Sequence, residues 1–411
     1  AGAGGGATPD EVRAIASEVL ADAQTRSSLL ASGGLAGHDG RFFLASGDGN
    51  FRLNIGGQIQ FRYTTNFRSD DDDAPNSDDF ESGFSDPRTR VYFDGHAHDP
   101  RLFYRVMLDF RAAGGDGFLQ DAWAGYRFEN GLTLRGGEGI TAFMREWFMG
   151  DFKLFTVERS LQALVFGQFR SKFIDLKYQT DDAPVRVIGT FSDGFRSTNT
   201  EFDADPADWA LTGRAEWKFA GSWTQLENEY RSPRGSDFAG ALGGAVHIEQ
   251  GPSRVAGPGG VAEQTLLAWT ADLLLKGDGW NAMLAGVGYH TEDEAGVSGA
   301  DFDDFSALAQ GGVHVTDDVE LIGRYEVIIP DGDRAGDDPL NAVTAGFNWY
   351  LHGQAAKFSF AGILFLDDTN GTTAGNFGNT GPRTPTSPAF GSLPSTEAGQ
   401  VTVWAQFQLL F

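Results

Sequence analysis

Residues 51–67, FRLNIGGQIQFRYTTNF, have two chemically different faces. The odd-numbered positions are mostly aromatic or aliphatic, whereas the even-numbered positions carry arginine, asparagine, glutamine, threonine and one glycine. Because successive side chains of a strand point to opposite faces, the pattern predicts a β-strand with one apolar and one hydrated surface. Globular strands are typically about six residues long, so the length of this segment favours a sheet that stands between lipid and water.

The composition of the chain is that of a large β-protein. Its 411 residues include 56 glycines and 34 phenylalanines, but no cysteine. Glycine permits tight turns and bent sheets, and aromatic residues favour strands and membrane interfaces. The sequence has no uninterrupted run of about 18 apolar residues, which excludes a helical membrane protein. The net charge of −26 argues against a nucleic-acid partner.

An N-terminal arm is expected over residues 1–45, in the periplasm, with an amphipathic helix over 9–30. Thr8 is a good N-cap, Pro9 suits the first helical position, and Glu11 completes a capping box. Three arrangements remain open for this helix: packing on the rim of a barrel, a short coiled coil between subunits, or a frayed arm. The small residues that start the chain are those expected after removal of a signal peptide.

Residues 46–411 predict a 16-stranded antiparallel transmembrane β-barrel, an all-β fold. The expected strands cover 51–67, 87–98, 101–111 and 118–129, begin near 132, 172, 185, 208, 237, 265, 279, 303, 319, 340 and 355, and end with 400–411. Short turns alternate with long loops between them, as in bacterial outer-membrane barrels. A strand-like piece within 220–236 is interpreted as part of a long periplasmic connection, because an odd number of strands would place the chain ends on opposite rims.

The polar face of the first five predicted strands is rich in arginine. A charged side chain facing lipid costs roughly 2 to 4 kcal/mol at mid-membrane, so these arginines should face a water-filled lumen or lie at its mouths. The expected pore-lining residues are Arg52, Arg62, Arg68, Arg90, Arg105, Arg111, Arg127 and Arg135. A basic wall favours anions. The alternative is a charge-balanced wall, in which the arginines pair with carboxylates of the strands and loops.

A constriction loop is predicted over residues 142–171. This segment is too long for a turn and too apolar for an exposed loop, since it contains several phenylalanines and a tryptophan. Folding into the barrel mouth would bury it and narrow the pore, which makes Arg145, Lys153, Arg159 and Arg170 constriction candidates. The alternative is packing over the outer rim or against a neighbouring subunit.

Four segments carry a resemblance to a known family. They are FRLNIGGQIQFRY at 51–63, the run from Arg88 to Tyr104 that includes RTRV and DPRLFY, VERSL at 157–161, and FSDGF at 191–195. In their order and spacing the chain resembles the phosphate-selective porin O/P family. The resemblance implies a homotrimeric, 16-stranded channel of the bacterial outer membrane whose third long loop constricts the pore. Phe411, at the end of the last strand, resembles the assembly signal of outer-membrane proteins.

The function that these patterns favour is a porin: a water-filled channel for passive diffusion of small hydrophilic solutes and ions, with an expected preference for anions. The family resemblance implies that these anions are phosphate-like. No enzyme is expected, because no nucleophile motif or phosphate-binding loop is present, and no cofactor or nucleic acid is expected as a partner. The alternative is a structural envelope protein that links the outer membrane to the cell wall through the N-terminal helix.

Metal binding has weak support in the sequence. The histidines lack the spacing of metal ligands. Asp70, Asp72, Asp331 and Asp333 are weak Ca²⁺ candidates because carboxylate oxygens suit this ion. Their spacing matches no known calcium loop, so a solvated acidic surface is the simpler interpretation.

Overall fold

The computed structural model describes residues 17–18, 35–69, 79–110, 115–203, 207–227, 229–252, 263–293, 301–334, 338–369 and 390–411. The helix predicted over 9–30 lies outside this part of the chain except for residues 17 and 18, which are helical. Arg111 and the calcium candidates Asp70 and Asp72 also lie outside it.

A short hairpin precedes the long strands. Strand β1 (Leu35–His38) pairs with β2 (Phe42–Ala45), and β2 pairs with the start of β3 (Arg52–Phe67), where Phe42 lies opposite Ile55. This hairpin is not predicted from the sequence. Strands of four residues are too short for an alternating pattern to stand out.

Sixteen long strands close into one antiparallel barrel, as predicted. After β3 they are β4 (Phe80–Ala97), β5 (Asp99–Phe110), β6 (Gly117–Arg127), β7 (Leu132–Ile140), β8 (Arg170–Tyr178), β9 (Val185–Ser192), β10 (Trp209–Ala220), β11 (Ala239–Pro252), β12 (Glu263–Gly277), β13 (Trp280–Asp293), β14 (Phe302–His314), β15 (Val319–Ile329), β16 (Leu340–His352), β17 (Ala356–Phe365) and β18 (Val401–Leu410). Each pairs with the next, and β18 pairs with β3, where Val401 lies opposite Phe67. Closure satisfies the backbone hydrogen bonds of both edge strands.

The barrel has an apolar outside and a polar inside. In β3, Gln60 and Arg62 are each 1% exposed, whereas Phe61 between them is 47% exposed. Similar exposed aliphatic and aromatic side chains occur on the later strands except β6, for example Val246 on β11 and Leu284 on β13. This is the reverse of a water-soluble protein and confirms the two faces predicted from residues 51–67.

The segment between β7 and β8 lies inside the barrel. It contains α1 (Arg145–Phe148), a 3₁₀ turn (Asp151–Lys153) and α2 (Leu161–Val165). Its apolar side chains pack into one buried cluster with the inner faces of β11 to β18, where small residues such as Ala241 and Ala268 leave room for it. Burial of this apolar surface holds the segment to that half of the wall.

The connection between β10 and β11 is long and contains no strand among its described residues, as predicted for 220–236. Helix α3 (Trp223–Leu226) occupies the strand-like piece, and Ser222 begins it with a capping box that involves Gln225. No helix in the described ranges is long and apolar enough to cross a membrane.

Strand β4 starts at Phe80, earlier than the expected residue 87. Residues 81–86, ESGFSD, have one large apolar side chain, Phe84, and therefore show no clear alternation. The pairing also shifts register near Gln60 and Arg62. Phe84 nevertheless stacks on Phe61 with ring centroids 5.2 Å apart on the outer face. Cross-strand aromatic contacts of this kind extend the sheet where propensity alone would not.

The exposed apolar belt gives a direct test of the membrane orientation. Val246 is 60% exposed near the middle of β11, and Leu351 is 49% exposed next to a short turn. Val246→Arg should lower the free energy of unfolding by roughly 2 to 4 kcal/mol, and Leu351→Arg by about 0 to 1 kcal/mol, since cost falls toward the interface. Urea unfolding of protein refolded into lipid vesicles measures both, and equal effects would contradict a membrane-buried belt.

Candidate functional site

Three adjoining cavities lie along the inner face of β3 to β9, and we call them the wall cavities. Their volumes are about 650, 380 and 290 Å³. Trp123 lines all three, and Arg135 lines the first two. The inner segment, from Trp147 to Met149, forms the opposite side of the first and second cavities. Water-accessible space thus lies on the arginine-rich half of the wall, and the apolar contacts of the inner segment lie on the other half.

Most of the predicted wall arginines in this region are paired with carboxylates. Arg90 Nε lies 2.7 Å from Asp109, and Arg105 Nε lies 3.1 Å from Asp121. Arg135 forms a two-point contact with Asp175. Each of these three arginines also lines the first wall cavity. Their charge is therefore partly compensated by acids of the strands themselves.

The remaining arginines predicted for the pore occupy different environments. Arg52 lies near the short-turn rim, 3.2 Å from Asp39 and stacked on Phe43. Arg68 lies at the opposite rim and donates to the carbonyl oxygen of Pro394. Arg127 lines the second and third cavities. Arg62 is buried beneath the inner segment and lines none of the three cavities.

Glu158 fastens the inner segment to the first strands. Its carboxylate oxygens lie 2.5 Å from Arg62 and 2.6 Å from Arg88. Burial alone would raise the pKa of this carboxyl, but the two guanidinium groups lower it to about 2. Glu158 is therefore ionised at neutral pH, and the contact it makes is a charge-assisted, buried one.

Asp151 forms a second attachment close to the first cavity. Its carboxylate contacts Arg90 of β4 and Arg159 of the inner segment. Burial acts to raise its pKa, but Arg159, Arg90 and Arg88 hold it well below the usual value. Arg159 also stacks over Trp147, with its guanidinium carbon 4.3 Å from the ring centroid. Arg159, one of the residues predicted for the constriction, thus stabilises the inner segment through contacts with other residues of the same segment.

Arg145, another member of that set, ties the segment to the far wall. It contacts Asp272 of β12 and lies 2.6 Å from Glu216 of β10. Arg214 joins the same cluster, 2.7 Å from Asp272, and donates to the carbonyl oxygen of Phe143. Burial lowers the pKa of Arg145, but Asp272 and Glu216 raise it above the ordinary value, so it stays charged.

Arg170 and Lys153 both line the first cavity. Arg170 Nε lies 2.7 Å from Asp121. Within the described part of the chain, no carboxylate lies within 4.0 Å of Lys153, which instead has its ammonium 5.6 Å from the centroid of the Phe152 ring. Of the four residues predicted for the constriction loop, Lys153 alone combines a cavity position with an uncompensated charge among the residues described.

Two further cations in the cavities have no carboxylate within 4.0 Å among the described residues, namely Arg127 and Lys177. Arg127 is among the pore-lining residues predicted from the sequence, whereas Lys177 is not. The signal was present in β8, where Phe173, Asp175 and Lys177 alternate with exposed Ile174 and Leu176 and thus share the inner face.

Among the described calcium candidates, the carboxylate of Asp331 is used to hold the backbone. Asp331 accepts hydrogen bonds from the backbone amides of Asp303, at 2.7 Å, and Asp333, at 2.8 Å. Over the ranges that the structure describes, no group of three or more histidine or acidic side chains is arranged to hold a metal ion.

Comparison with known proteins gives a structural likeness alone. No family model matches the sequence, and no curated protein matches it. The similarity to known proteins is therefore one of backbone structure and not of sequence.

Solved structures of outer-membrane proteins share the barrel. The Vibrio cholerae outer membrane protein OmpT, also solved in a trimer form, has a TM-score of 0.56 at 12% identity, over 88% of this chain and 97% of that chain. An anion-selective porin from Comamonas acidovorans has a TM-score of 0.53 at 12% identity, over 87% and 99%. Pseudomonas putida OprB has a TM-score of 0.56 at 8% identity, over 94% and 96%. At this identity the likeness establishes the fold, a closed 16-stranded barrel of the outer-membrane porin type.

Proposed function

We propose that this protein is a porin of the bacterial outer membrane, through which small hydrophilic solutes and ions diffuse passively. The observation that carries the proposal is the reversed barrel, whose apolar belt faces outward while its polar wall encloses adjoining cavities. The porin fold of the similar structures supports it. Transport of this kind needs neither a catalytic step nor a cofactor, and we propose none.

The segment over 142–171 acts in this proposal as the constriction. It is attached to the wall at Glu158, Asp151 and Arg145. These attachments form two ion-pair clusters, since Arg88 contacts both Glu158 and Asp151. A passage then runs between this segment and β4 to β9. Arg90, Arg105, Arg135 and Arg127 line it as proposed pore residues, together with Lys153 and Arg170.

Anions are the solutes we favour. In the first two cavities, cationic side chains outnumber acidic ones, and Arg127, Lys153 and Lys177 have no carboxylate within ion-pair distance among the described residues. Excess positive charge along a passage lowers the barrier for anions. The resemblance to the phosphate-selective porin O/P family agrees with an anion. We propose a homotrimer on the same resemblance and on the trimer form of the similar OmpT.

Reconstitution into planar lipid bilayers tests the proposal. Purified, refolded protein should produce discrete single-channel steps, and a trimer should close in three equal steps. The heat-unfolded protein at the same detergent concentration serves as the control. Repeated absence of steps from preparations with a β-sheet circular dichroism spectrum would overturn the channel function.

A further inference from the structure

We propose that Arg127, Thr133 and Lys177 form a subsite for the carboxylate of an aromatic acid. The subsite lies in the second wall cavity, close to the short-turn rim and beneath the inner segment. This inference rests on the proposed channel function for its biological meaning and names the class of solute: an organic anion with a flat apolar body, in preference to a fully hydrated inorganic anion.

The three side chains lie side by side because of strand register. Arg127 of β6 is paired with Thr133 of β7, and Thr133 is paired with Lys177 of β8. All three line the second cavity, so they share the inner face. Neighbouring strands are about 4.8 Å apart, which places the Cα atoms of Arg127 and Lys177 roughly 10 Å apart, with Thr133 between them. A carboxylate bound at the hydroxyl would lie between two positive charges.

The ion pairs of the same cavity show why these cations are the ones available. Arg135 is paired with Asp175, Arg186 with Glu216 and Glu227, and Arg145 with Glu216 and Asp272. These carboxylates account for the other three arginines of the lining. Neither Arg127 nor Lys177 has a carboxylate within 4.0 Å among the described residues. Arg127 packs its guanidinium on the face of Phe103, 3.9 Å from the ring centroid, which leaves its N–H edge free to meet a carboxylate.

The rest of the lining favours an apolar solute body. More than half of the residues around the second cavity are apolar, and the aromatic rings of Phe103, Trp123 and Phe148 are among them. Ile188 follows Lys177 in the same register row and continues this surface across β9. Chloride or phosphate would have to shed water against these groups with little compensation, because only the indole N–H groups among them can donate a hydrogen bond. A benzoate-like solute would place its ring there and its carboxylate at the cations.

Binding to the refolded full-length protein in detergent tests the inference without requiring a current. Benzoate, acetate and phosphate are titrated by isothermal calorimetry, with tryptophan fluorescence as a second readout because Trp123 lines the cavity. Acetate keeps the carboxylate and lacks the ring.

Benzoate should bind with a dissociation constant about tenfold lower than acetate or phosphate. Lys177→Gln and Arg127→Gln should each lower the affinity for benzoate about fivefold to tenfold. Lys177→Arg, which keeps the positive charge, should retain the wild-type affinity.

The matched control is Lys218→Gln, because Lys218 is also on an inner face near the short-turn rim but lines none of the three cavities. Benzoate affinity should be unchanged in this variant. Phosphate binding as tight as benzoate, or benzoate binding that survives both cavity substitutions, would overturn the subsite. Channels of normal conductance that bind no benzoate would overturn the subsite alone, whereas benzoate binding without single-channel steps would overturn the channel function alone.

Discussion

Replacing Glu158 by glutamine should lower the free energy of unfolding by roughly 3 to 5 kcal/mol. The substitution preserves size but leaves Arg62 and Arg88 without their shared carboxylate, and the Arg62 side chain is almost fully buried. An unpaired buried charge is far more costly than a missing exposed one. The pKa of Glu158 supports this magnitude, since a decrease from 4.5 to about 2 corresponds to roughly 3 kcal/mol of preferential stabilisation of the ionised form. Urea unfolding of the vesicle-refolded protein measures the change.

Glu129→Gln is the matched control for this experiment. Glu129 also pairs with an arginine, Arg101 at 3.2 Å, but its side chain is 89% exposed at the short-turn rim. Solvent screens such a pair, so its loss should be within the error of the measurement. Equal destabilisation by the two substitutions would show that Glu158 does not act through buried pairing.

The pH dependence provides a second readout for Glu158. Its folded-state pKa of about 2 lies below the ordinary value of 4.5, so its contribution to stability is fully present above pH 4.5. That contribution should disappear as the pH falls from 4.5 toward 2, because the carboxyl then gains a proton more readily in the unfolded chain. The Glu158→Gln variant should lack this component, and the difference between the two proteins should therefore shrink on acidification.

The barrel could be predicted from the sequence because its pattern is local. In β3 the polarity of each side chain shows whether it faces lipid or water. The same requirement, lipid on one side and water on the other, applies to all sixteen strands. The prediction was wrong where the alternating pattern is too short or too polar. It lacks the four-residue strands β1 and β2, and it begins β4 seven residues after the observed start. At the start of β4, the Phe84 ring stacks on the Phe61 ring of β3. This contact depends on the register of the two strands and not on the strand propensity of residues 80–86.

The site was predictable only as a set of inward-facing cations. Sequence could place Arg62, Arg90 and Arg127 on the polar face, but it could not show which would have acidic partners. Glu158 reaches Arg62 across 96 residues, and Asp151 reaches Arg90 across 61. Those contacts depend on how the inner segment folds, which no periodicity specifies. These contacts distinguish the roles of two arginines on the same polar face: Arg62 holds the inner segment, whereas the charge of Arg127 faces a cavity.

Lys153 is the residue at which charge should affect ion selectivity most directly. It lines the largest wall cavity from the inner segment and has no carboxylate within 4.0 Å among the described residues. Two unit charges about 7 Å apart interact by roughly 0.6 kcal/mol in water and by about 2 kcal/mol at an effective dielectric constant of 20. Removing this charge raises the barrier for chloride and lowers that for potassium, so even the interaction energy in water should reduce the ratio of chloride to potassium permeability by roughly eightfold.

Reversal potentials across a KCl gradient measure this ratio for the wild-type protein, for Lys153→Gln and for Lys218→Gln, which removes a charge outside the cavities. We expect chloride preference in the wild type, a clear reduction in the first variant and no change in the second. Arg62→Gln should alter stability more than selectivity, because Glu158 and Gln406 already neutralise or hydrogen-bond its guanidinium group. Potassium preference in the wild type would instead show that the acidic loops govern entry, since the wall cations would then be screened before an ion reaches them.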